Sequence, residues 1–123
     1  MRGPQYLFLF AAMSILALNG CYYDNEEALY PGSFCDTTNV TFANSIEPFV
    51  QTNCATPNCH VPGGAGNGDL TVFANIASKV ADGRFLQSIR RENGVYPMPP
   101  ENPVSACDLS KVEIWIAAGA QHN

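Results

Sequence analysis

Five cysteines in a chain of 123 residues are the feature that most limits what this protein can fold into. A single small domain has a marginal core, so covalent links contribute a large share of its stability. Because five is an odd number, disulfides within the chain leave at least one thiol over. The cysteines therefore need more than one chemical role.

The first of them, Cys21, ends a segment with the layout of a secretory signal. Arg2 precedes an apolar run over residues 6–18, and no acidic residue occurs before Asp24. The run is short for a membrane-spanning helix, which needs about 20 residues. It ends in Leu-Asn-Gly-Cys, which resembles the bacterial lipobox and implies cleavage before Cys21 and lipidation of that residue. An ordinary signal peptide followed by a structural cysteine is the alternative.

Composition divides the chain into three parts. We predict a signal peptide over residues 1–20, an acidic tether over 21–34 and one folded domain over 35–123. Lipid chains on Cys21 would hold the domain on a membrane of the bacterial cell envelope, and we expect the outer membrane. Nucleic acid is not an expected partner, because six basic residues face eleven acidic ones.

Two of the other cysteines lie in a local pattern. Residues 54–60 read Cys-Ala-Thr-Pro-Asn-Cys-His, so His60 directly follows the second of two closely spaced thiols, Cys54 and Cys59. This resembles a c-type haem attachment site, usually Cys-x-x-Cys-His, with two extra residues between the thiols. The wider gap requires a bulge, which the turn-prone Pro57 and Asn58 permit. A zinc site and a small disulfide loop are the alternatives.

A low-spin haem needs a second axial ligand, usually Met or His, from a distant part of the chain. Met98 is the only methionine beyond the predicted signal peptide, and it lies in Tyr-Pro-Met-Pro-Pro at residues 96–100. Prolines on both sides fix φ and hold the thioether at low entropic cost. Met-Pro-Pro resembles the distal-ligand motif of small c-type cytochromes. A methionine that fills the core, or ligation by His122 instead, are the alternatives.

The apolar spacing predicts helices and no strands. We predict a first helix over residues 45–54 with Ser45 as its N-cap, and two short helices over 72–81 and 84–91. The glycine-rich stretch at 62–68 lacks the Lys-Ser/Thr of a phosphate loop, so we predict a flexible loop crossing a haem edge. Arginines at 84, 90 and 91 lie on the polar face of the helix predicted over 84–91. They would form an ordinary solvated face, or they would steer an acidic partner or pair with haem propionates.

The final helix has the clearest signals. Ser110 and Glu113 fit a capping box at its start, and Gly119 ends it. An apolar stripe runs along it, formed by Leu109, Val112, Trp115 and Ile116. Trp-Ile-Ala-Ala-Gly-Ala at residues 115–120 resembles the ending of many bacterial haem c domains, in which this helix crosses the N-terminal helix beside the haem. A tryptophan in an ordinary core is equally consistent with the stripe.

Taken together, the Cys-x4-Cys-His site, Met-Pro-Pro and the final helix resemble the cytochrome c-like domains of lipoproteins from Bacteroidota-type bacteria. The resemblance covers most of residues 42–123 and implies a small all-α, cytochrome c-like fold with long Gly/Pro-rich loops and one haem c. Cys54 and Cys59 would form the thioether bonds, and His60 and Met98 would bind the iron. In that fold the first and last helices pack together, which makes a disulfide between the remaining cysteines, Cys35 and Cys107, geometrically plausible.

The function implied by this resemblance is electron transfer to redox partner proteins. Two axial ligands leave no open position for a substrate, so an electron carrier is expected rather than an enzyme. Two other functions stay open. One is a haem-free binding or structural lipoprotein held by two disulfides, and the other is a haem enzyme or sensor with a labile Met98.

Overall fold

The computed structural model describes residues 34–123, and these are helical without a β-strand. The predicted all-α class is therefore confirmed for this part of the chain. The predicted signal peptide, the predicted lipidation site Cys21 and the predicted tether up to residue 33 lie outside the described residues. None of the helices within 34–123 has both the length and the apolar character needed to cross a membrane.

Four α-helices and one π-helical turn make up the domain. The π-helical turn Phe42–Ile46 leads directly into α1 (Glu47–Asn53). Next in chain order are α2 (Phe73–Ala81), α3 (Arg84–Ile89) and α4 (Ala106–Ala117). The π-helical turn contacts α4, α2 contacts α3, and α3 contacts α4.

The first helical segment begins earlier than predicted. Thr41, not Ser45, is its N-cap: the Thr41 hydroxyl accepts a hydrogen bond from the Asn44 amide at 3.2 Å. The Asn44 side chain in turn accepts one from the Thr41 amide at 2.9 Å. This reciprocal pair is a capping box, and it satisfies two backbone N–H groups at the start of the segment. Pro48 lies in the first turn of α1, as predicted.

The two middle helices lie close to their predicted positions. Gly83, which has a φ of +79°, separates them, and the predicted apolar face of α3 is buried at Phe85 and Ile89. However, α3 ends at Ile89 rather than at residue 91. Arg91 adopts a left-handed conformation with a φ of +58°, which is incompatible with continuing the helix.

The predicted capping box of the last helix was wrong. Helix α4 begins at Ala106, and its N-cap Ser105 accepts a hydrogen bond from the Asp108 amide at 3.0 Å. Ser110 therefore lies inside the helix. The earlier start places Leu109 on the helix as well, where it packs against the core together with the buried Val112 and Trp115.

The core lies between the first helical segment and α4, and α2 and α3 contribute to it as well. Its fully buried side chains are Ile46, Val50, Ile76, Val112 and Trp115. The Trp115 indole also donates a hydrogen bond to the Gln121 carbonyl at 2.9 Å. Trp115 thus occupies the core, as the apolar stripe of the last helix predicts for a core tryptophan.

A disulfide joins Cys35 to Cys107 across a sequence separation of 72 residues. It links the segment before the π-helical turn to the first turn of α4. The described domain therefore has one covalent cross-link between its beginning and its last helix.

Candidate cofactor site

A cavity of about 710 Å³ brings the predicted haem-binding residues together. Cys54, Cys59 and His60 line it from one part of the chain, and Met98 lines it from another. Its volume lies within the roughly 300–1,000 Å³ typical of small-molecule and cofactor sites. Much of the remaining lining is apolar, from Leu70, Phe85, Ile89, Val95 and Pro100.

The wide gap between the two thiols is closed by a tight turn. The Cys59 amide donates to the Thr56 carbonyl at 3.0 Å, and Asn58 has a φ of +68°. Proline at the second position and a left-handed asparagine at the third are the signature of a type II β-turn. The His60 amide donates to the Cys54 carbonyl at 3.1 Å, which closes the loop at its base. The predicted bulge is present, and Pro57 and Asn58 form it.

His60 is held in one orientation by the glycine-rich loop. Its side chain is buried, and Nδ1 lies 3.0 Å from the Gly68 carbonyl oxygen. A carbonyl can only accept, so Nδ1 carries the hydrogen and donates it. In the neutral imidazole this leaves the lone pair on Nε2 available for a metal.

Close packing adds a second restraint on the imidazole. A Cβ placed on Gly66 would lie 2.6 Å from His60 Nδ1, so only glycine fits beside the ring without movement. Gly64 is equally restricted, because a Cβ there would lie 2.0 Å from the Cys59 carbonyl oxygen. The Gly66 amide also donates to that carbonyl at 3.1 Å. The glycine-rich stretch is therefore packed against the Cys-x4-Cys-His loop.

The two thiols lie in different environments. Cys54 is buried and Cys59 is exposed, and neither forms a disulfide. Burial raises the pKa of the Cys54 thiol to about 11, and the neighbouring Cys59 contributes a smaller increase. Cys54 is therefore a neutral thiol near pH 7.

Met98 is anchored to the end of α3. Its amide donates to the Ser88 carbonyl at 3.1 Å, and its side chain is half-buried. The Arg91 guanidinium donates to the Pro99 carbonyl at 2.9 Å and to the Pro100 carbonyl at 3.2 Å. The peptide bond between Met98 and Pro99 is cis. These contacts fix the loop on one wall of the cavity.

The charged side chains that line the cavity are positive. Lys79 and Arg84 belong to the lining, and no carboxylate of residues 34–123 does. Neither Lys79 nor Arg84 forms an ion pair with another residue of the described part of the chain. Lys79 was not among the predicted site residues. It lies three positions after the buried Ile76 in α2, on the same helix face. In the sequence, a lone lysine at this spacing is not distinguishable from a solvated one.

The three predicted arginines have separate roles. Arg84 lines the cavity, whereas Arg90 pairs with Glu113 at 2.8 Å and with Glu92 at 3.6 Å. Arg91 binds the main-chain carbonyls of the segment that follows Met98. Of the three, Arg84 is thus the one placed where it can pair with an anionic group in the cavity.

His122, the alternative axial ligand, lies elsewhere. It stacks on Phe73 with ring centroids 4.2 Å apart and is not part of the cavity lining. Trp115 does not line the cavity either. Across residues 34–123, no three His, Cys, Asp or Glu side chains are grouped so that they could hold a metal ion.

Comparison of the chain with protein-family models, with curated proteins and with solved structures found no match in any of the three. Any assignment of function therefore depends on the cavity and the residues that line it.

Proposed function

We propose that this protein is a membrane-anchored c-type cytochrome that transfers electrons through one covalently bound haem. One observation carries the proposal: Cys54, Cys59, His60 and Met98 come from two separate parts of the chain and line one cavity. Two thiols suit the two vinyl groups on a porphyrin edge, and an imidazole and a thioether suit the iron.

The rest of the lining fits the same group. A porphyrin is apolar over its faces and carries two propionates at one edge. The cavity offers apolar side chains together with Lys79 and Arg84, and its described lining contains no carboxylate. The whole chain has a net charge of -5, so a cavity whose charged side chains are positive stands out from the rest of the chain and favours an anionic group.

Neighbouring residues of the chain also hold His60 and Met98 in positions suited to binding a metal. The hydrogen bond from His60 to the Gly68 carbonyl sets the tautomer, and Gly66 confines the ring. On the other side, the hydrogen bond from the Met98 amide to Ser88 limits the movement of the thioether. When bound, the haem supplies a one-electron iron couple, and His/Met ligation raises its potential.

The cytochrome c-like fold is part of this proposal. The contact between the π-helical turn and α4 agrees with a first and a last helix that pack together. Short helices joined by long loops, such as residues 54–72 and 90–105, agree with it as well. We further propose that lipidation of Cys21 anchors the domain to the outer membrane of a bacterial cell envelope, and that its partners are redox proteins rather than nucleic acids.

An absorption spectrum of the full chain, produced with the haem c maturation machinery, tests the proposal. We expect a reduced spectrum of the c type and a haem that stays with the protein after acid-acetone extraction. Replacing both Cys54 and Cys59 with alanine should abolish covalent attachment. The matched control replaces Cys35 and Cys107, whose disulfide lies outside the cavity lining, and should keep the haem attached.

Three results separate the proposal from its alternatives. A colourless protein without free thiols would indicate the haem-free, disulfide-linked lipoprotein. A covalent but five-coordinate haem that binds peroxide or gases would indicate an enzyme or sensor. A six-coordinate haem that becomes high-spin in Met98→Ala supports electron transfer with Met98 as the distal ligand.

A further inference from the structure

We propose that Arg91 is a positioning residue that holds the Met98 loop, defined here as residues 96–100, against the end of α3. Its guanidinium reaches across the loop and donates to two successive carbonyls, those of Pro99 and Pro100. The planar fork of an arginine can make both bonds at once, and the ammonium of a lysine is not pre-organised to do so.

The backbone around Arg91 supports this role. The Ser88 carbonyl accepts a hydrogen bond from the Arg91 amide and another from the Met98 amide, each at 3.1 Å. One carbonyl at the end of α3 thus joins the arginine and the methionine directly. Arg91 itself has a φ of +58°, a conformation that a long side chain adopts at a cost. The side-chain bonds to the loop offset that cost.

The neighbouring Arg90 shows that the contact is specific. It leaves the same helix end but pairs with Glu113 and Glu92 and makes no hydrogen bond to the Met98 loop. The prolines on either side of Met98 have no N–H group, so this segment has few donors of its own with which to bind α3. Arg91 supplies donors that the segment lacks. Without them, the hydrogen bond from the Met98 amide to Ser88 is the main remaining tie between loop and helix.

As far as Met98 is an iron ligand, this inference rests on the proposed function. The test compares Arg91→Asn with the control Arg90→Gln in the full chain carrying haem. Asparagine tolerates the left-handed backbone, so the substitution removes the guanidinium with little change in φ strain. Imidazole is then titrated into the ferric protein, where it competes with Met98 for the iron.

We expect half-saturation of Arg91→Asn at an imidazole concentration about tenfold lower than for the wild type, since two hydrogen bonds no longer oppose loop opening. Its reduction potential should also fall, because the thioether binds the iron less tightly. Arg90→Gln should match the wild type in both measurements. Arg91→Lys, which keeps the charge, should behave like Arg91→Asn. Equal imidazole affinity in Arg91→Asn and Arg90→Gln would overturn the proposal.

A second measurement does not depend on haem. Hydrogen exchange at the Met98 amide reports opening of its bond to Ser88 in the protein without haem. We expect about tenfold faster exchange in Arg91→Asn than in Arg90→Gln. Unchanged exchange would refute the role of Arg91, whereas a wild-type protein that never binds haem would refute the proposed function alone. Circular dichroism checks that both variants are folded.

Discussion

Replacing Gly66 with alanine tests how tightly the protein confines His60. The added Cβ would lie 2.6 Å from Nδ1, 2.8 Å from Cγ and 2.9 Å from Cε1 of the imidazole. Ordinary contacts between carbon atoms are about 3.5–4.0 Å, so either the ring or the glycine-rich loop must move. Movement of the ring would strain the hydrogen bond to the Gly68 carbonyl, which is 3.0 Å long.

Two contributions set the size of the effect. Overpacking of a buried site costs about 1–3 kcal/mol, and weakening a hydrogen bond adds about 1 kcal/mol. We therefore expect Gly66→Ala to lower the free energy of unfolding by about 3 kcal/mol. The control is Gly63→Ala, at a position with a φ of +77° and nothing within 4 Å of the added Cβ. Its cost is backbone strain alone, about 1 kcal/mol.

Urea denaturation of the protein without haem measures both free energies. Nuclear magnetic resonance of the His60 ring reports whether the Nδ1–H donor is still protected. Tight confinement of His60 is refuted if Gly66→Ala loses no more stability than Gly63→Ala and its Nδ1–H signal is unchanged. In the haem-bearing protein, a displaced imidazole should also alter the spectrum in Gly66→Ala and leave it unchanged in Gly63→Ala.

Three further predictions concern the disulfide, the buried thiol and the last helix. Replacing Cys35 and Cys107 with serine should lower the free energy of unfolding by up to about 4 kcal/mol, measured with urea, because the loop they close is long. In the protein without haem, the free energy of unfolding should fall as pH rises from about 8.5, where an unfolded thiol ionises, towards the Cys54 pKa of about 11. In this range the unfolded state binds fewer protons than the folded state. Cys54→Ala should therefore flatten this part of the pH profile of stability. Ser105→Ala should lower the free energy of unfolding, measured by thermal denaturation, by about 1 kcal/mol, because it removes the N-cap of α4. Ser110→Ala, inside the helix, should not lower it. A larger loss in Ser110→Ala would instead support a helix that begins at Ser110.

Sequence patterns predicted the residues of the candidate site better than its surroundings. Cys54, Cys59 and His60 lie close together in the chain, and the prolines beside Met98 make that segment distinctive, so local chemistry was enough to select them. These residues meet in one cavity because α3 packs against the Met98 loop, and no local sequence pattern predicts that contact. The stripe of α4 was likewise predictable, because its period reports burial directly.

Helix boundaries were less predictable, for a physical reason. Both Ser105-x-x-Asp108 and Ser110-x-x-Glu113 fit a helix start, and local sequence does not rank them. Likewise, Thr41 and Ser45 are both good N-caps. The choice depends on how much of each helix packs against the core, which is a tertiary quantity. Lys79 was missed for a related reason: a lone lysine on a helix is usually solvated, and only the cavity beside it suggests a ligand.

The gap between Cys54 and Cys59 is wider than in the usual Cys-x-x-Cys-His pattern, and the loop geometry accommodates the difference. The extra residues form a type II turn whose tip, Pro57 and Asn58, is exposed. The base of the loop stays closed by the hydrogen bond from the His60 amide to the Cys54 carbonyl. Insertion therefore lengthens the loop towards solvent without separating its two ends. A wider spacing is compatible with two thiols and an imidazole on one cavity wall, provided that its middle residues can form such a turn.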